Sequence, residues 1–135
     1  MIARALRQLA LVLALALVPA LVSGAWQLRW RAEEPLAPGE VRLATARMWG
    51  DQVQWVDART RAKFERAHIP GALLLNVDEW DRLTGPFLDA WDADKTLIVY
   101  CDGGSCEAVA ERIRTELKIG GVYVLKGGWA AWERK

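Results

Sequence analysis

The chain has 135 residues, a formal net charge of +1 and 26% charged residues, enough for one ordinary domain. With no basic run and no interleaving of aromatic and basic residues, composition excludes a nucleic-acid partner and leaves a small molecule or another protein. The two cysteines lie in one loop and cannot staple distant parts of a fold. With a single histidine they also form no zinc-ligand spacing, and no cofactor is implied.

At the amino end Arg4 and Arg7 precede an apolar run from Leu9 to Val22 that has no polar face. A bilayer-spanning helix needs about 20 apolar residues, whereas the core of a cleavable signal needs only about 7 to 15. Ser23-Gly24-Ala25 suits cleavage, while Trp26 and Trp30 with Arg29 and Arg31 suit the fringe of a retained anchor. Residues 1–31 are therefore expected to form an apolar helix that is either a membrane anchor or a signal peptide. In both cases the leading positive charges put the remainder on the periplasmic or exterior side, tethered or secreted, although Arg29 and Arg31 oppose that orientation. Residues 32–40, with two prolines, a glycine and acidic residues, read as a linker.

The folded domain is expected over 41–135. Val53 to Val56, Ala72 to Leu75, Thr96 to Tyr100 and Val122 to Leu125 read as strands. Thr60 is placed to cap a helix through Ala67, and Asp78 to cap one carrying Trp80 and Leu83. Val109, Ile113 and Leu117 recur at every fourth position, with Ala110 beside them, giving a helix with a buried face that Gly120 and Gly121 would end. Strands alternating with helices imply an α/β fold, a mostly parallel sheet covered on both faces. Ligands of such sheets sit beyond the carboxyl ends of the strands.

That is where Tyr100-Cys101-Asp102-Gly103-Gly104-Ser105-Cys106 falls. A thiol ends a buried strand, two glycines permit a tight turn, and a helix starting near Ser105 presents its positive end. Backbone amides and the dipole together favour thiolate over thiol, so Cys101 is the candidate nucleophile. Cys106 is open to three readings: a small residue packing near Ala110, half of an inert bridge, or a second thiol that resolves a persulfide or mixed disulfide on Cys101. His68, beside the turn Ile69-Pro70-Gly71, reads as a structural hydrogen-bonding residue. Asp57 is placed to tie down backbone amides or to polarise a neighbour, and Trp129 and Trp132, three apart, read as core cover.

Four separated segments carry a family resemblance. Val56-Asp57-Ala58-Arg59, His68-Ile69-Pro70-Gly71-Ala72, Val99-Tyr100-Cys101, and Leu125-Lys126-Gly127-Gly128-Trp129 with Trp132 resemble, in order, the motifs of the rhodanese family of sulfurtransferase domains. The match covers about Val53 to Trp132. It implies a central parallel sheet of about five strands with helices on both faces. It also implies a Cys101 that takes sulfane sulfur from a small donor or a protein persulfide and passes it to a thiol acceptor or cyanide. The amides from Asp102, Gly103, Gly104 and Ser105 to Cys106 would then cradle the outer sulfur. The six-residue loop is similar in length to sulfurtransferase loops, whereas phosphatases of this fold use one residue more and end in arginine. The departure is Cys106, where many members place arginine. With Asp102 and Glu107 nearby and no loop cation, the expected donor is a neutral or protein-borne persulfide, and Arg59 is the candidate to supply a charge. A thiol–disulfide redox protein using Cys101 and Cys106, and a catalytically silent binding module, are the competing readings.

Overall fold

The computed structural model describes residues 34–134, together with Gln8. The expected apolar helix and the anchor or signal over 1–31 therefore lie outside the described residues, Gln8 apart. No helix among the described residues is long and apolar enough to cross a membrane. The compact unit that carries the described elements starts at Leu36.

Five strands form one sheet in the order β1-β5-β4-β2-β3, every pairing parallel. They are β1 (Glu40–Val41), β2 (Val53–Asp57), β3 (Leu73–Leu74), β4 (Thr96–Tyr100) and β5 (Val122–Leu125). The helices are α1 (Leu43–Met48), α2 (Arg61–Arg66), α3 (Trp80–Ala90), α4 (Cys106–Thr115) and α5 (Gly128–Glu133), with a 3-10 turn at Gly50–Gln52. β4 is central and its Leu97 to Tyr100 are fully buried, as an apolar run covered on both faces should be.

The period of two along β4 divides the core. Leu97 and Val99 point into a cluster with Trp80, Leu83 and Phe87 of α3 and Val109, Ala110 and Ile113 of α4. Ile98 and Tyr100 point into the opposite cluster, with Ala46 of α1, Phe64 of α2 and Trp129 and Trp132 of α5. Both faces are thus covered, as expected.

Several boundaries differ from expectation. Glu40, assigned to the linker, is the first residue of β1 and pairs with Val124. Neither β1 nor α1 was foreseen, since two strand residues and a six-residue helix carry too little periodicity. Asp78 does not cap α3. Its N-cap is Glu79, whose amide donates to the Asn76 side chain at 2.8 Å. Thr60 is the N-cap of α2 by position but makes no side-chain cap hydrogen bond. α4 ends before Leu117, and the left-handed residue that turns the chain is Lys118 (φ 58°), with Ile119 N–H donating to the Ile113 carbonyl at 3.3 Å. Gly120 and Gly121 come later, at the approach to β5.

Candidate active site

β4 leads toward β5 on one side through α4, while β2 leads toward β3 on the other through α2. Neighbouring strands that send their connections apart open a crevice at their carboxyl ends, the usual ligand position in such sheets. Tyr100-Cys101-Asp102 leaves one lip of that crevice and Asp57-Ala58-Arg59 the other, joined by a hydrogen bond from Ala58 N–H to the Tyr100 carbonyl at 2.9 Å.

Cys101 continues the alternation of β4 into the α4 face and is 4% exposed. Gly103 (φ 143°) and Gly104 (φ 81°) then take backbone conformations that L side chains rarely adopt, which lets the chain double back within five residues. Ser105 precedes the helix without capping it. Its hydroxyl reaches the Ala58 carbonyl at 3.5 Å and ties the loop to the end of β2. Cys106 opens α4 and is 3% exposed. The two sulfurs are bonded, with their Cα atoms 5.6 Å apart. Cys106 faces Cys101 and lies in the same buried cluster as Ala110.

A second segment holds the Cys101 backbone. Gly127 (φ 77°) and Gly128 (φ 51°) begin α5, and Trp129 N–H donates to the Cys101 carbonyl at 2.8 Å. A Cβ on Gly128 would lie 2.1 Å from that carbonyl oxygen, so only glycine admits this contact.

On the facing lip, buried Asp57 accepts from the Arg59 backbone amide at 2.9 Å and holds its guanidinium through Nε at 3.0 Å and Nη2 at 2.7 Å. Arg59 also donates to the Ala67 carbonyl at 2.7 Å and lies 4.0 Å over the Trp129 ring. Burial alone would lower its pKa, but the adjacent Asp57 carboxylate outweighs that and raises it, so Arg59 is a permanent cation. Asn76, 3% exposed, donates to the Arg59 carbonyl at 3.1 Å while its Oδ1 accepts from the Glu79 amide at the start of α3. Sequence reasoning missed Asn76, because an asparagine between a strand and a helix looks like any turn residue.

Asp102 does not stand as a free carboxylate next to Cys101. It pairs with Lys63 of α2, and the remaining Arg59 nitrogen is 3.9 Å from it. The negative charge of Asp102 is therefore offset by two cations that only the fold brings near. His68 hydrogen-bonds the Phe64 carbonyl at 2.8 Å and stacks on the Phe64 ring at 4.0 Å, a local structural role.

Cys101, Asp102, Gly103, Gly104 and Cys106 line one surface pocket of about 240 Å³, closed on its other sides by Glu40, Glu107 and the Gly127-Gly128 turn. No lysine or arginine lines it. Arg59 and Ser105 open instead on an adjoining pocket of about 170 Å³, shared with Asp102 and Gly103. All the expected site residues thus converge on one loop, divided between two neighbouring pockets.

The rhodanese-like domain model matches residues 40–135. The chain belongs to the rhodanese-like domain family. Among curated relatives, the thiosulfate sulfurtransferase GlpE of Shewanella oneidensis is 35% identical over 80 residues, covering 59% of this chain and 75% of that protein. GlpE of Glaesserella parasuis is 30% identical over 87 residues, covering 64% and 77%. The human single-domain sulfurtransferase TSTD1 shares the fold at a TM-score of 0.58 and 21% identity, over 72% of this chain and 96% of that one. The 3-mercaptopyruvate sulfotransferase SseA of Escherichia coli aligns at a TM-score of 0.55 and 26% identity, over 72% of this chain and 45% of that one. At the level of the family, this rhodanese-like chain is an enzyme of the sulfurtransferase class.

Proposed function

We propose that the reduced domain carries sulfane sulfur as a persulfide on Cys101 and delivers it to a thiol. The observation that carries this reading is the position of Cys101. It ends the central strand at the crevice, beside the first turn of a ten-residue helix, and borders a pocket sized for a small donor. In the first step the Cys101 thiolate attacks the outer sulfur of the donor. The new S–S bond forms as the donor's own S–S bond breaks, and the leaving group departs with the electron pair. An acceptor thiolate then attacks the outer sulfur and returns Cys101 as thiolate. The loop amides, freed of side-chain bulk at Gly103 and Gly104, are suited to hold the outer sulfur.

The donor we infer is an uncharged or weakly charged persulfide. The two GlpE relatives are named thiosulfate sulfurtransferases, but here no lysine or arginine lines the pocket, and its Asp102 and Glu40 already hold Lys63 and Lys126 in ion pairs, so no lining cation is placed to bind a doubly negative donor. The apolar run Leu9 to Val22 behind Arg4 and Arg7 supports an outward-facing domain held at a membrane or released after cleavage.

Intact mass of the fully reduced chain after exposure to an organic persulfide tests the reading. One added sulfur is expected on a Cys106→Ser chain, in which Cys101 is the only thiol, and none on a Cys101→Ser protein. Full sulfur transfer by Cys101→Ser would end the proposal.

A further inference from the structure

The persulfide reading leaves Cys106 without a task, yet Cys106 is buried, opens α4 and is bonded to Cys101. The 5.6 Å Cα separation lies within the range that a disulfide bridges without backbone movement. The loop therefore already has the shape in which one sulfur attacks the other. The pocket beside them, where an outer sulfur would project, has no lysine or arginine in its lining, and Asp102 and Glu40 there already hold Lys63 and Lys126 in ion pairs, so no lining cation retains a leaving hydrosulfide.

Resting on the persulfide reading, we propose that Cys106 is the resolving thiol, so that the reductant of the sulfane sulfur lies inside the loop and the product is hydrosulfide. The Cys106 thiolate attacks the inner Sγ of the Cys101 persulfide. The Cys101–Cys106 bond forms, the inner-to-outer S–S bond breaks, and the outer sulfur leaves as hydrosulfide with the electron pair. The sulfane sulfur gains two electrons and the thiol pair loses them. An external dithiol, small or protein-borne, regenerates the pair by two exchanges and leaves as its own disulfide. The protein would thus act as a dithiol-dependent reductase of persulfides, with the bonded state seen here as its oxidised half.

The test uses the full chain, reduced, freed of reductant and kept anaerobic, mixed with one equivalent of an organic persulfide. Wild type should release about one equivalent of hydrosulfide and end with the internal disulfide by intact mass. Cys106→Ser, with Cys106→Ala as a second variant, should keep the added sulfur and release hydrosulfide at least about 100-fold more slowly until an external thiol is supplied, since only the intramolecular attack is removed. A wild type that retains its persulfide, or a Cys106 variant that releases hydrosulfide at the wild-type rate, overturns the inference while leaving the persulfide reading intact. If neither wild type nor the Cys106 variants gain sulfur, the persulfide reading itself falls.

Discussion

Gly128 shows how a single missing side chain holds the site together. Its φ of 51° costs an L residue about 1 to 2 kcal/mol, and an added Cβ would also meet the Cys101 carbonyl oxygen at 2.1 Å. Gly104 has a similarly positive φ of 81° but open space around its Cβ position, so it carries the conformational cost without the collision. Gly104→Ala is accordingly expected to destabilise by about 1 to 2 kcal/mol in urea titrations, and Gly128→Ala by distinctly more. Sulfur transfer should fall further in Gly128→Ala, because relieving the collision displaces the Cys101 backbone. Equal losses at the two positions would show that α5 does not brace Cys101. From the sequence, Gly127-Gly128 was legible only as part of a family motif. That the second glycine answers to Cys101, far away in the chain, is a tertiary fact.

At the scale of elements, β4 and α4 together decide where the two thiols sit. β4 sets the side on which Cys101 emerges, and α4 is anchored on the sheet by Val109, Ala110 and Ile113, all fully buried. Ile113→Ala should cost about 2 to 5 kcal/mol, the usual range for emptying a core site. Leu117, beyond the end of α4 and only partly buried, should cost clearly less when truncated. Chemical denaturation of the two variants side by side checks this, and a larger loss at Leu117 would contradict the observed helix end. The fourfold spacing of Val109, Ile113 and Leu117 predicted one continuous helix, because periodicity reports which face is apolar and not where the backbone turns. β2, β4 and β5 were legible because runs rich in β-branched and aromatic residues, bounded by turn residues, have few other ways to be buried, while of the expected Ala72 to Leu75 only Leu73–Leu74 pairs as strand β3. The two-residue β1 has no such signature and exists because β5 offers it an edge.

For the molecule as a whole, Tyr100 couples the sheet to the loop before β3 and makes stability depend on pH. Its hydroxyl accepts the Ile69 amide at 3.1 Å, and burial, reinforced by the Asp57 carboxylate, pushes the phenol well above its ordinary range. A raised folded pKa contributes stability that is complete below the unfolded value, about pH 10, and is lost as pH rises through the folded one. Wild type should therefore lose up to about 1.4 kcal/mol per pH unit above pH 10 from this group, and Tyr100→Phe should be less stable at pH 8 but show a shallower alkaline decline. Unfolding titrations from pH 8 to 11 would read the difference, and parallel declines would refute it. Asp57, Arg59, Lys63 and Asp102 make the same point about electrostatics. Residue types and order alone were enough for an α/β sheet, a cysteine at the end of its central strand and a family, because apolar runs and motif spacing are local properties of the chain. The charge around the thiol, the split into two pockets and the meeting of Cys101 with Cys106 emerged only on folding, since each depends on distances between side chains from different strands, helices and turns.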